Sequence, residues 1–340
     1  MRRLVLAVLA VLALLALVAG WLLARLSDHP SLDPYASLWL ASQPGTAAGP
    51  RVNVTFLGVA TLLISDGETS LMTDGFFTRP PKTSVFLGRI APDPDLIARS
   101  LEHAGVHELA AVIAVHSHYD HAMDSPEVAR RTGALLVGSE STANIGRGVG
   151  FPEQRIRVIR PGEPMRFGGF TVTAIQSRHF PHGMAMGEIR APLVPPARAT
   201  DYLEGGSFSV LVAHEAGTLL VHGSAGWQDG ALDGRHADVV LLGIAGLATR
   251  DEAYREDYWR AVVGAVQPGC VIPIHWDDFT LPLAAPLEPA SSLLDDFPAT
   301  MAFLSHQTAG GAPGLGLLPA WKPVTLLGPG AARCGAPGPT

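Results

Sequence analysis

Nine consecutive residues, His116 to Asp124, carry three histidines and two aspartates in a chain with only 13 histidines among 340 residues. The stretch reads HSHYDHAMD and begins where an apolar run, LAAVIAVH (109–116), ends. In an extended chain alternate side chains share a face, so His116 and His118 aim the same way. Tyr119 points off, and Asp120 and His121 enter the turn beyond. Two imidazoles on one side, with a carboxylate and a third imidazole one step on, suit two neighbouring metal ions better than one. A strand end leading into a helix start is also a common place for a rigid, partly open site. An accidental HxHxDH is expected in about one chain in a thousand of this composition, so a polar surface cluster is the weaker reading.

Composition narrows the donors. With two cysteines, Cys270 and Cys334, no cysteine-rich metal site can form, and histidine and carboxylate must hold any ion. Cys270 opens the apolar run CVIPI and reads as a buried thiol rather than half of a disulfide with the tail. A net charge of −7 argues against nucleic acid as the main partner, which demands a basic face. Hydrophobic residues at 47% support a sizeable core and exclude wholesale disorder.

Those residues must be positioned by the elements around them. Residues 1–25 stand apart: after Arg2 and Arg3, positions 4–24 carry no charge, enough for a helix to cross a bilayer core. The exit Leu17-Val18-Ala19 is poor for signal cleavage, so an uncleaved single-pass anchor is expected. Arg2, Arg3 and the amino terminus outweigh Arg25, which puts the bulk of the chain outside the cytoplasm (in the periplasm, if the cell is Gram-negative). Residues 26–50 read as a linker and 328–340 as a flexible tail, leaving 51–327 as one domain.

Within that domain RVNVTFLG, ATLLISDG and TSLMTDG read as opening strands, and 95–104 as an amphipathic helix. Asp124 or Ser125 is expected to cap the helix after the histidine stretch, with Gly133 closing it. Further strands fall at 134–138, 156–159, 165–167 and 170–176, then a hairpin over SFSVLVAHEAGTLLVHG and a buried strand at 237–244. Thr249 and Glu252 have capping-box spacing, CVIPIH (270–275) reads as the last clear strand, and DDFPATMAFLSHQ as the last helix. Alternating strands and helices make this an α/β domain.

HSHYDH resembles the HxHxDH signature of the metallo-β-lactamase superfamily, which implies a four-layer αββα sandwich over roughly residues 52–310. The opening TFLGVATLLISDGETSLMTDG and the ending VIPIHWDDF are similar to the branch containing N-acylphosphatidylethanolamine phospholipase D and ascorbate-phosphate lactonase. The resemblance implies a first metal site at His116, His118 and His179, and a second at Asp120, His121 and His275. It assigns Asp74 to support the ligands from behind. One position departs: the superfamily's bridging aspartate is replaced by Ser224 in HGSAG, and a hydroxyl is a much poorer zinc ligand than a carboxylate. One tight zinc and a second, exchangeable one are therefore expected, though another divalent metal would serve. His222 reads as a packed or solvated histidine, and His29, His103, His107, His214, His236 and His306 as structural or exposed.

A zinc held by three neutral histidines keeps its charge, lowers the pKa of bound water to about 7 and supplies hydroxide. Asp120 is placed to orient that hydroxide as the catalytic residue. The reaction type is metal-assisted hydrolysis of an ester, lactone, amide or phosphodiester. The segment 180–206 follows His179 and is either a binding loop or a loop packed over its own core. His182 near its start, with Arg178, Arg190 and Arg198, could meet an anionic group, which leans towards a small amphiphilic, lipid-like or phosphate-bearing substrate. The alternative is a catalytically silent metal-binding or interaction protein on the same scaffold. Oligomeric state is not readable.

Overall fold

Runs of Val, Ile, Leu and Thr too short for helices become strands, which the computed structural model arranges in two seven-stranded sheets. It describes residues 2–42, 48–283 and 286–335. The first half supplies β1 (Val52–Phe56), β2 (Leu62–Ser65), β3 (Ser70–Thr73), β4 (Ala111–Ile113), β5 (Leu135–Gly138) and β6 (Ile156–Val158). The second supplies β7 (Pro164–Phe167), β8 (Phe170–Ser177), β9 (Ser207–His214), β10 (Gly217–His222), β11 (Val239–Gly243), β12 (Cys270–Ile274) and β13 (Gly314–Leu315). A last strand, β14 (Val324–Leu327), returns to pair antiparallel with β1. Each sheet is an antiparallel meander at one end, β1–β3 or β7–β10, and parallel at the other.

The parallel halves need crossover connections, and helices supply them. After the apolar helix α1 (Arg2–Leu26) come α2 (Lys82–Leu87), α3 (Pro94–His103), α4 (Tyr119–Ala122), α5 (Ser125–Thr132), α6 (Glu140–Gly148), α7 (Glu252–Trp259) and α8 (Phe297–Gln307). Helices α5 and α6 pack on the first sheet, with α3 against α5. Side chains of both sheets, from Val54 and Val112 to Val212 and Leu241, join Tyr258 of α7 and Met301 of α8 in one core. The result is the expected αββα sandwich. Strands β4, β11 and β12 are buried at every residue, as parallel strands covered on both faces must be.

Several expectations change at element ends. The side chain of Asp124 does not cap α5: it accepts from the amides of Phe77 (2.8 Å) and Thr78 (2.6 Å) and from the Thr78 hydroxyl (2.7 Å). Gly133 does close that helix, at φ 75°, where a Cβ would be strained. Asp251, not Thr249, caps α7 through the Tyr254 amide, while the Thr249 hydroxyl donates back to Gly246 O. Helix α6, capped by Ser139, and strand β14 were not read from the sequence.

The linker and tail are also more ordered than expected. Within 26–50, Leu38 and Leu40 are buried; Leu40 N donates to Leu317 O and Leu317 N donates to Leu38 O (both 2.8 Å). Ser42 Oγ accepts from Thr325 N at 2.9 Å. In the tail, Leu315 N bonds Gly335 O, and Cys334 forms a disulfide with Cys270. Cys270 is therefore not the free buried thiol that its apolar neighbours suggested; its partner lies 64 residues away, where no local pattern reaches. Residues 43–47 and 336–340 lie outside the described residues.

Helix α1 is exposed along its described side chains except the half-buried Leu26 at its end, and it is long and apolar enough to cross a membrane. The segment 180–206 packs down: Asn144 Nδ2 donates to Ile189 O (2.6 Å), Ile189 N donates to Ser141 Oγ (2.8 Å), and Ala197 pairs with Ile90. Its Ile189, Ala197 and Tyr202 join Val59, Phe76 and Met123 in a second, smaller core. Met184, Met186 and Val194 stay exposed.

Candidate metal centre

Beyond β4 the chain runs out as His116, Ser117 and His118 before one short turn of helix, α4, carries Asp120 and His121. From the other sheet, His179 lies just past the end of β8 and His275 immediately follows β12. The six side chains gather as two triplets, His116–His118–His179 and Asp120–His121–His275, with candidate ligand atoms within 4.8 Å of one another in each. The His116 and His121 rings, 3.8 Å between centres, place the triplets side by side.

The spacing of the second triplet can be followed atom by atom. His121 Nε2 and His275 Nε2 are 3.2 Å apart, and Asp120 Oδ2 lies 3.4 Å from His275 Nε2 and 3.6 Å from His121 Nε2. Donors on a tetrahedral zinc at about 2.0–2.1 Å must be about 3.3 Å apart, so the spacing fits a single ion. The donor set fits as well. His121 Nδ1 is bound by Asp74 Oδ2 (2.7 Å), His118 Nε2 by Ala185 O (3.1 Å) and His179 Nδ1 by Phe180 O (2.7 Å). Each ring thus has one nitrogen oriented by an oxygen and the other left for an ion, the usual arrangement around bound metals. Both ring nitrogens of His116, and Nδ1 of His275, are buried without a hydrogen-bond partner among the described residues. Such orphaned atoms are costly unless something fills them.

Burial, reinforced by the neighbouring rings, drives His116 well below the ordinary imidazole range. Burial likewise takes His118 to about 4, against partial opposition from Asp120, and His179 to about 3. These rings are neutral donors near pH 7. Burial also works on His121, but the carboxylates of Asp74 and Asp120 overcome it and raise its pKa. Burial pushes Asp120 up, yet His121 and His275 more than reverse it and hold the carboxylate charged.

Backbone strain surrounds the second triplet. Val59, Asp74, Arg79 and His275 all have positive φ, between 46° and 58°. Asp and His tolerate that region better than most residues, but for β-branched Val59 it is a genuine outlier. A clasp holds it: His275 N donates to Val59 O (2.7 Å), Val59 N donates to Asp277 Oδ1 (2.8 Å), and Asp277 is ion-paired with Arg79, both fully buried. Sequence reading missed Asp277 and Arg79; the only signal was an acidic pair just after a candidate ligand.

Other candidates fall in different places. Asp74 stands behind His121 and also accepts from Val115 N (2.8 Å). Ser224 Oγ accepts from Phe180 N (3.0 Å), so it ties down the residue after His179. The His182 ring lies 4.7 Å from that of His179 and 5.7 Å from that of His118, at the mouth of the first triplet. The Arg178 side chain turns to Gln228 and that of Arg190 to Glu188, both exposed, and neither forms a hydrogen bond or ion pair with the six side chains among the described residues. His222 is buried between Ser209 Oγ (2.8 Å) and Gly226 O (2.7 Å), a satisfied core histidine.

Comparison with known proteins agrees with the fold. The model of the beta-lactamase superfamily domain matches residues 53–275. A metal-dependent hydrolase of Methanopyrus kandleri is 25% identical over 233 residues, covering 67% of this chain and 85% of its own. One from Cupriavidus taiwanensis is 28% identical over 245 residues, covering 68% and 77%. Among solved structures, the "possible metal-dependent hydrolase" of Veillonella parvula superposes with a TM-score of 0.50 at 16% identity, over 82% of this chain and 100% of that one.

Proposed function

The chain belongs to the metallo-β-lactamase superfamily, and on that premise we propose a membrane-anchored, zinc-dependent hydrolase of an ester, lactone or phosphodiester in a small amphiphilic or phosphate-bearing substrate. The observation that carries the proposal is the convergence of a three-histidine triplet and an Asp/His triplet, with buried ring nitrogens left without a hydrogen-bond partner among the described residues. The relatives' description as metal-dependent hydrolases supports it. A divalent metal bound there acidifies water near neutral pH and polarises a carbonyl or phosphoryl oxygen.

This chain's residues do the rest. His116, His118 and His179 donate as neutral rings, preserving the ion's charge. Asp120, held as a carboxylate by His121 and His275, would accept a hydrogen bond from the attacking water and orient it. His182, with Nδ1 taken by Met184 N (2.9 Å), offers Nε2 at the mouth of the cleft to substrate. Ser224 offers a hydroxyl rather than a carboxylate, so His116, His118 and His179 would hold a metal tightly and Asp120, His121 and His275 would hold theirs more loosely.

The location rests on α1 and on the disulfide. Disulfides persist in oxidising compartments, so Cys270–Cys334 supports a domain outside the cytoplasm, as the positive-inside rule does. The test uses the full chain in lipid nanodiscs, because removing residues up to 45 would strip Leu38, Leu40 and Ser42 from the domain. Loaded with zinc, it should hydrolyse at least one of a panel of aryl esters, lactones and bis-p-nitrophenyl phosphate, and His118→Ala should abolish that turnover. A zinc-loaded chain inert on all three classes would point to the silent metal-binding reading.

A further inference from the structure

A cavity of about 1110 Å³ lies apart from the metal centre, between the segment just after α1, helix α3 and the residues following β12. None of the six converging side chains lines it. Its walls are apolar: Leu40, Leu96, Leu287 and the indoles of Trp39, Trp276 and Trp321. Trp276 follows His275 directly, so the cavity and the metal cleft flank the same stretch of chain.

Its charged lining is Arg99 and Lys322; Ser100 and His103 are the other polar side chains, and no acidic residue lines it among the described residues. Neither Arg99 nor Lys322 forms a salt bridge among the described residues, in a chain whose net charge is −7. Unpaired cations beside a large apolar volume call for a ligand with a long apolar body and an anionic end. The wall itself argues for the source. Leu32, Trp39, Leu40 and Ala41 belong to the chain that has just left α1, whose last residue, Leu26, is tied to Lys82 through its carbonyl (3.3 Å). Resting on the membrane anchoring proposed above, we propose that this cavity binds a single-chain anionic amphiphile, such as a fatty acid or lysophospholipid, taken from the bilayer in which α1 would sit. Its apolar chain lies among the indoles and its anionic end meets Arg99 and Lys322.

The cavity can be read by fluorescence, independently of metal and hydrolysis. Six tryptophans are present, and three line the cavity. The full chain carrying Trp21→Phe, which removes the indole within α1, is placed in zwitterionic nanodiscs and titrated with 9,10-dibromostearate, a contact quencher. Saturable quenching is expected, with the methyl ester at least tenfold weaker. Arg99→Glu with Lys322→Glu should weaken the acid roughly tenfold, as expected for two exposed charge contacts reversed. Ala320→Phe, which fills the cavity without touching the charges, should abolish saturation, and it serves if the double variant misfolds. A lysophosphatidylglycerol competitor separates phosphate from carboxylate headgroups. Quenching that rises without saturation, or is the same for the ester and for Ala320→Phe, would show partition into the bilayer alone and overturn the proposal.

Discussion

Protons and a metal ion compete for the same ring nitrogens, and the two triplets are set differently for that competition. His118 and His179 are held at about 4 and about 3, chiefly by burial, so they stay open to metal in mild acid. His121 is raised by Asp74 and Asp120 and still holds a proton where an ordinary imidazole, at about 6.5, has lost it. Lowering the pH from 7.5 to 5 should therefore empty Asp120–His121–His275 first and leave His116–His118–His179 loaded. Metal analysis after dialysis at stepped pH checks this, and simultaneous loss of both equivalents contradicts it. Asp74→Asn removes the carboxylate that fixes the His121 ring and should weaken the second metal by about 10–100-fold while sparing the first. Ser224→Asp should act the other way, raising the second metal's affinity by placing a carboxylate beside the residue that follows His179. Equal retention by parent and variant, measured by competition with a chelator, would show that Ser224 does not face the ions.

Among elements, the turn after β12 has the most at stake, because it carries His275 in a left-handed conformation. Removing one partner of a buried ion pair leaves the other charged and unpaired, at a cost of about 3–5 kcal/mol. Asp277→Ala should destabilise the fold by about that amount in denaturant unfolding and also release the second metal. If stability falls while the second metal stays, the clasp holds the fold but not His275. Asp277 was hard to read because its partners, Val59 and Arg79, lie about two hundred residues away. The six converging side chains were easier to place: His116 and His118 come from one short stretch, and the family resemblance pointed to His179 and His275 at strand ends. Strand β14 and helix α6 were missed because non-local pairing and a capping serine, rather than a strong local pattern, define them.

At the scale of the whole molecule the chain ends decide what local composition could not. Pro, Gly and Ala around 26–50 and beyond 328 suggested loose connections, yet both segments are tied to the same sheet edges, through Leu40 to Leu317 and through Gly335 to Leu315. The disulfide closes this arrangement and couples stability to topology. Cross-linking residues 64 apart constrains the unfolded chain, so Cys334→Ser should cost about 2–4 kcal/mol. The same bond reports on location, since a cytoplasmic domain would keep both thiols reduced. Alkylating intact cells before denaturation, then reducing and relabelling, should find Cys270 and Cys334 protected from the first reagent and reactive only after reduction. In parallel, a reporter that works only in the cytoplasm, fused after Gly335, should stay inactive. An active reporter together with two free thiols would turn the orientation around, placing α1 with its amino terminus outside and the metal centre inside the cell. The fold and the metal chemistry would survive that result, whereas the disulfide would have no compartment in which to form.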